Sequence, residues 1–161
     1  MTLNIVILAF VTLERLFELL LAGRNTRLLI AKGAREHGRN HYPFMVAVHV
    51  LWLAALWWFA RSRPIDGFWL AIFVLLEIGR VWVLATLGRR WTTRIIVDPA
   101  DELVESGPYR FVNHPNYWVV IGEIAVLPLV FALWQIALVF TLLNAAVLTV
   151  RIREENRALG R

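Results

Sequence analysis

The sequence predicts an all-α integral membrane protein of about five transmembrane helices, the last two folded into a tight hairpin, with a polar loop on the cytosolic side. Three observations carry this: the composition, the lengths of the apolar blocks and the placement of the basic residues. Of the 161 residues 59% are hydrophobic, with eight Trp and nine Phe, and the mean hydropathy is +0.61. A soluble domain of this size cannot cover its surface with so few polar groups. The chain has no cysteine, which excludes disulfides, zinc–thiolate sites and thiol nucleophiles.

The apolar residues fall into four blocks, 3–22, 42–60, 67–87 and 117–150. One crossing of a bilayer takes about 20 helical residues, so the first three blocks each predict one span. The first is not a cleaved leader: no basic stretch precedes it, and Glu14, Arg15 and Glu18 lie inside it. Segment 23–41, punctuated by Gly33 and Gly38, reads as a polar connection. The fourth block has 34 residues, too long for one span and right for two short ones, with Pro128 and Trp134-Gln135 marking the bend.

Basic residues set the orientation. With the N-terminus outside, the connection 23–41, the connection 88–116 and the tail 151–161 face the cytoplasm and hold 13 of the 17 Lys and Arg. The short 61–66 connection holds only Arg61 and Arg63 outside. That asymmetry predicts N-out and C-in. The net charge of +5 then reflects loops lying against anionic lipid; no soluble domain remains to bind nucleic acid.

Six charges fall inside predicted spans: Glu14, Arg15 and Glu18 in the first, Glu77 and Arg80 in the third, Glu123 in the fourth. Each costs about 2.5–3.5 kcal/mol near the bilayer centre, so each needs a partner or a task. Arg15–Glu18 and Glu77–Arg80 are spaced i, i+3 and are expected to pair on their own helices. Glu14 and Glu18 outnumber Arg15, which makes them candidates for a cavity-facing, substrate-side role. Glu123 is expected to bind a neighbouring helix. His37, His41 and His49 are the histidines of the first connection and second span, too few for a metal centre in a chain without thiols. His41, beside Tyr42 at the membrane boundary, is a further substrate-side candidate.

The polar segment 103–117 carries the densest chemistry. A Gly107-Pro108 turn leads through Tyr109 and Arg110 to His114-Pro115. Pro115 disfavours helical geometry at His114 and can open the next helix, whose first amides then form a site for a small carboxylate. At the other end of the apolar hairpin, Arg151 and Glu155 are i, i+4, either an end-of-helix salt bridge or a pair of ligand contacts.

Leu103-Val104, Gly107, Tyr109, His114-Pro115 and Tyr117, followed by an apolar hairpin and then Arg151 and Glu155, resemble the C-terminal signature of the isoprenylcysteine carboxyl methyltransferase family. The resemblance implies a membrane-embedded enzyme using S-adenosylmethionine. It further implies cofactor contacts from Leu103, Val104, Tyr109, His114, Pro115, Asn116, Tyr117 and Glu155, and a catalytic, substrate-side role for Arg151. The chain departs from the family pattern at Asn113, where an Arg usually precedes His-Pro, and at Asn156, where the acidic pair commonly continues. In the first half, Glu14-Arg15 with Glu18, Arg24-Asn25, 33–36 and His41-Tyr42-Pro43 with His49 resemble the short bacterial branch that includes alkylpyrone O-methyltransferases.

These likenesses imply one membrane domain over 1–161, with the S-adenosylmethionine region in 91–161, in a bacterial inner membrane. The expected reaction is methylation of an oxygen (carboxylate, phenol or enol) on a lipophilic acceptor such as an isoprenylcysteine or a long-chain alkylpyrone or alkylresorcinol. A phenol or enol needs a base, for which Glu14, Glu18 and His41 are candidates. Three alternatives stay open: an N-methyltransferase of phospholipid amines, an NADPH-dependent membrane reductase, and a non-enzymatic scaffold. No Gly-x-Gly-x-x-Gly follows a strand pattern, so a soluble dinucleotide-type domain is excluded.

Overall fold

The structure is a computed structural model that describes residues 2–97 and 104–159. Five helices make up the bundle: α1 (Thr2–Ala31), α2 (Tyr42–Phe59), α3 (Gly67–Leu87), α4 (Pro115–Val130) and α5 (Trp134–Ala158). By length and apolarity α2, α3 and α5 each suffice to cross a membrane, whereas α4 has 16 residues, about 24 Å at 1.5 Å per residue. α1 runs on for 30 residues; the stretch expected as a loop from 23 continues the helix, because no strong breaker comes before Gly33.

Local chemistry explains the ends. Asp66 caps α3, accepting from the amides of Phe68 and Trp69 at 2.9 and 3.3 Å. Pro115 occupies the first turn of α4, where its missing N–H costs nothing. The expected hairpin bend lies at 131–133: Leu133 N–H donates back to the Pro128 carbonyl at 3.0 Å, and Phe131 is fully buried.

α4 packs between α3 and α5, and α2 lies against α5. A glycine lets α3 and α4 approach, since a Cβ on Gly122 would stand 2.6 Å from Leu76 Cδ2. The core is built from Leu8, Val11, Trp52, Leu56, Phe73, Ile124, Leu127 and Phe131, while Leu13, Phe17, Leu20, Trp58, Phe68 and Leu142 face outward. An apolar exterior around buried polar groups is the arrangement a lipid environment demands.

Two short strands, β1 (Arg35–His37) and β2 (Ile95–Val97), pair antiparallel with Glu36 opposite Ile96. This ribbon places the first and third connections on one side of the bundle. Glu36 reinforces it, accepting from Arg39 Nε at 2.9 Å and Arg94 Nη1 at 2.7 Å; the bond to Glu36 also pushes the Arg94 pKa up. From the extended end of α1, Asn25 donates to the carbonyls of Gly88 and Trp91 at 3.2 and 2.8 Å.

The intramembrane charges form one cluster. Arg15 bonds Glu18 at 2.8 Å, as its spacing predicts, and reaches Glu123 at 2.6 Å. Arg80, expected to pair with Glu77, turns away from it: it donates to Glu18 at 2.9 Å and through Nε to Glu123 at 2.6 Å, with Nη2 also on Glu123. Glu123 meets the planar guanidinium of Arg80 with both of its oxygens, the bidentate geometry that arginine–carboxylate pairs favour.

Candidate active site

The third connection returns to the bundle through a 3₁₀ turn, Gly107–Arg110. Gly107 has φ 57°, and any Cβ there would collide with the Thr86 side chain, so only glycine lets the turn lie against the end of α3. The turn seats Tyr109 against Val83, Trp91 and Ala22. Burial, with a contribution from the Glu155 carboxylate, pushes the Tyr109 hydroxyl pKa up to about 12, so it remains a neutral donor at physiological pH.

His114 stands at the N-cap of α4 and stacks on Tyr117 with ring centroids 5.1 Å apart. Its Nδ1 lies 3.8 Å from Glu155 Oε2. Tyr117 joins the ends of α4 and α5: its hydroxyl donates to Glu155 and accepts from Arg151 Nε at 2.9 Å. Arg151 and Glu155 thus meet through a phenol rather than directly. Arg151 is held further by the Thr93 carbonyl at 2.7 Å and by Met45 Sδ at 3.4 Å.

Two cavities adjoin this constellation. A loop-side cavity of about 580 Å³ is lined by Val104, Tyr109, His114, Asn116, Tyr117 and Glu155 among others, and is somewhat more polar than apolar. A bundle-side cavity of about 220 Å³ runs between α1, α2 and α5 and is mostly apolar, with Arg15, Glu18, His49, Arg80 and Asn144 along it. Trp91, Thr92, Asn116, Tyr117 and Arg151 line both, forming a shared wall. Two atoms of that wall, Asn116 Oδ1 and Trp91 Nε1, are buried with no hydrogen-bond partner among the described residues. An unpaired buried polar atom is costly, and these two offer one acceptor and one donor to a ligand.

A model of the isoprenylcysteine carboxyl methyltransferase (ICMT) family matches residues 69–161, a segment that contains α4, α5 and the whole Tyr117–Arg151–Glu155 constellation. The chain belongs to the isoprenylcysteine carboxyl methyltransferase family. The family makes it a membrane methyltransferase. Its relatives include an uncharacterized protein of Bacillus subtilis (strain 168), YpbQ, 36% identical over 158 residues that cover 95% of this chain and 94% of that one. An uncharacterized protein of Haemophilus influenzae (strain ATCC 51907 / DSM 11121 / KW20 / Rd) is 28% identical over 152 residues, covering 91% of this chain and 88% of its own. No solved structure matches the chain.

Of the residues singled out by likeness to the ICMT family, Val104, Tyr109, His114, Asn116, Tyr117, Arg151 and Glu155 all line the loop-side cavity. Pro115 is buried behind them as the start of α4, and Leu103 lies outside the described residues. The substrate-side candidates disperse. Glu18 reaches the bundle-side cavity, but both its oxygens are taken by Arg15 and Arg80. Glu14 stays in the ionic cluster, 3.7 Å from Arg15. His41 lines neither cavity but a third groove, with Gly38, Phe44, Val147 and Glu154, of which Val147 also borders the bundle-side cavity. Burial, with the positive charge of Arg151, lowers the His41 pKa. Trp91, Thr92, Thr93 and Met45 were not foreseen; Thr93 acts through its carbonyl, which leaves no trace in residue type.

Proposed function

We propose that the protein transfers a methyl group from S-adenosylmethionine to an oxygen of a lipophilic acceptor, with cofactor and acceptor on opposite faces of one wall. The observation that carries this reading is the pair of cavities, one polar and one apolar, sharing Tyr117, Asn116 and Arg151. A charged cofactor with ribose hydroxyls suits the more polar cavity, and an acceptor from the bilayer suits the apolar one. The cofactor fits the residues present: Asn116 Oδ1 and Trp91 Nε1 lack partners, Tyr109 is a donor, and Glu155 is a half-open carboxylate. Glu155, Tyr109, His114, Asn116 and Tyr117, with Val104 as an apolar neighbour and Pro115 setting the helix start, would hold the cofactor, which would supply an electrophilic methyl group. Arg151 positions the acceptor side. The chain's own contribution to rate would come mainly from alignment, the shared wall fixing acceptor and cofactor against one another.

The whole chain acts as one membrane domain, residues 91–161 carrying the cofactor site, in a bacterial inner membrane with the N-terminus outside. Cofactor then arrives from the cytoplasm, at the side where the ribbon gathers the loops. A single Cys at Ser62 is expected to react with an impermeant thiol reagent outside intact cells and one at Ser106 to stay protected; the opposite pattern reverses the orientation.

The deciding experiment is binding of labelled S-adenosylmethionine, and separately NADPH, to the purified protein in detergent. It is followed by incubation with a lipid extract and mass spectrometry of labelled products. Saturable S-adenosylmethionine binding and a labelled lipid are expected. Binding of NADPH instead would make the protein a reductase on the same scaffold.

A further inference from the structure

One titratable ring on the bundle-side cavity has no task in the reading above. His49 lies two turns into α2 and lines that cavity. Its Nδ1 stands 2.8 Å from the Met45 carbonyl. A carbonyl oxygen only accepts, so Nδ1 carries a proton and Nε2 is the position at which the ring can take one up. No described residue bonds Nε2. The bond to a carbonyl four residues earlier draws the ring toward the N-terminal end of α2, the direction in which helical side chains lean. Its neighbour there is Met45, whose sulfur accepts from Arg151. The ring is therefore one side chain removed from the wall the two cavities share.

The charges around it bear on what the cavity admits. Arg15 and Glu18 face His49 from α1, Arg80 from α3, Glu123 from α4, Arg151 from α5, and Tyr42 from its own helix. Arg15 and Arg80 are already engaged by Glu18 and Glu123, and Glu14 and Glu77 add two more carboxylates beside them. An anionic acceptor entering this cavity would find its two deep guanidiniums already paired. A neutral one pays no such penalty, but it must lose a proton as it becomes an ether.

We infer that His49 is the general base of this site, taking at Nε2 the proton of a neutral, lipophilic hydroxyl bound in the bundle-side cavity. The inference rests on the methyltransferase reading. In the step, the acceptor O–H bond breaks and its proton passes to Nε2. The oxygen's electron pair forms the new O–CH3 bond, and the carbon–sulfur pair leaves with sulfur, so the charge of the sulfonium ends as a proton on His49. Nδ1–H, fixed on the Met45 carbonyl, holds the ring in the tautomer this needs. His49 lines the bundle-side cavity with Nε2 unbonded among the described residues, whereas Glu18 has both oxygens engaged and His41 lines neither cavity.

The test uses two probes, a long-chain alkylphenol and a long-chain alkyl nitrophenol, with the full-length protein in detergent. Without cofactor and below the nitrophenol's own pKa, its absorption band is expected to lie at longer wavelength when bound to the unmodified protein, where its hydroxyl donates to Nε2, than when bound to His49→Gln. Gln keeps a donor for the Met45 carbonyl but takes up no proton. With S-adenosylmethionine, alkylphenol methylation in His49→Gln is expected to fall about 10²–10⁴-fold. Methylation of the nitrophenol above its pKa, already ionised, is expected to be unchanged. A nitrophenol band at the same wavelength in both proteins, or equal alkylphenol turnover, overturns the assignment. Failure of the unmodified protein to bind S-adenosylmethionine overturns the methyltransferase reading instead. Retained cofactor affinity in His49→Gln, and in His49→Asn as a second variant, reports that the fold survives.

Discussion

The protein buries two arginine–glutamate clusters with the same residue types and opposite degrees of closure. In the deep one, Arg80 and Glu123 are almost wholly inaccessible, 2% and 1% exposed, and Arg15, Glu18 and Glu123 use their charges on each other. In the other, at the ends of α4 and α5, Arg151 is held by Tyr117, Thr93 and Met45, while the side chains of Glu155 and His114 remain 26% and 20% exposed along a polar cavity. The first spends the guanidinium of Arg80 and the carboxylates of Glu18 and Glu123 on tying α1, α3 and α4 together. Arg15 Nε and one oxygen each of Glu14 and Glu77 stay buried there without a hydrogen-bond partner among the described residues. The second keeps Glu155 and His114 partly open to a polar cavity. The two clusters thus differ less in how many atoms stay unpaired than in whether their charged groups face a cavity a polar ligand can enter.

The largest expected effect tests the closed cluster. Arg80→Ala leaves Glu18 and Glu123 with Arg15 as their one shared cation and frees one oxygen on each in the core, and is expected to destabilise the fold by about 3–5 kcal/mol, read from denaturation in detergent. Arg80→Met combined with Glu123→Gln removes both charges while leaving Arg15 with Glu18, and is expected to recover much of that loss. If Arg80→Ala were as stable as the unmodified protein, the deep cluster would not be structural glue, and the contrast with the open cluster would fail.

The open cluster is expected to respond in function instead. Glu155→Gln is expected to weaken S-adenosylmethionine binding by about 1.5–3 kcal/mol, roughly 10- to 150-fold, as loss of a hydrogen bond to a charged group does. Arg151→Ala is expected to lower turnover or acceptor affinity while cofactor binding persists. Separate binding and transfer assays on both variants distinguish the two ends. Equal losses in both assays would reduce the pair to a brace around Tyr117.

How much of this was legible beforehand follows physical lines. The span of α3 and the bend before Trp134 are written locally, in the Asp66 cap and in Pro128. The continuation of α1 to Ala31 was missed because Arg24, Asn25 and Arg27 read as a loop, although nothing there breaks a helix. The ribbon was invisible: three residues at Arg35–His37 pair with three at Ile95–Val97 across two spans, and no local pattern encodes so distant a partner. Helix periodicity placed Glu77 and Arg80 on one face, yet packing decided the partner, and Glu123 on α4 won with its two oxygens. At the open cluster, the four-residue spacing of Arg151 and Glu155 put them on one helix face. The Thr93 carbonyl that holds Arg151 belongs to the backbone, where residue type is silent.

A smaller effect concerns the rim of the loop-side cavity. His114→Ala and Tyr109→Phe are each expected to cost about 1.5 kcal/mol of cofactor binding, near tenfold, with the fold intact. Since burial holds the Tyr109 pKa at about 12, its contribution is expected to be flat from neutral pH to about pH 9. Isothermal titration at several pH values checks both points, and a loss of affinity through that range that disappears in Tyr109→Phe would contradict the second.

The smallest expected effect separates His41 from both clusters. Its pKa is lowered by burial first and by Arg151 second, with Glu154 opposing. A group whose pKa is depressed in the fold favours the folded state above its unfolded value, near 6.5 for histidine, and that contribution is lost as pH falls through the folded value. The ring is buried, with Nδ1 unpartnered and a groove shared with Glu154 rather than with the two cavities. Protonation should therefore loosen the turn Arg39–His41 without reaching the acceptor. The melting temperature of the unmodified protein in detergent is expected to decline between pH 7 and pH 5, and His41→Gln is expected to flatten part of that decline with little change in methyl transfer at pH 7. If His41→Gln instead abolished transfer while leaving the pH dependence of melting untouched, His41 would belong with the acceptor after all, and the open cluster would extend across α2 to the first connection.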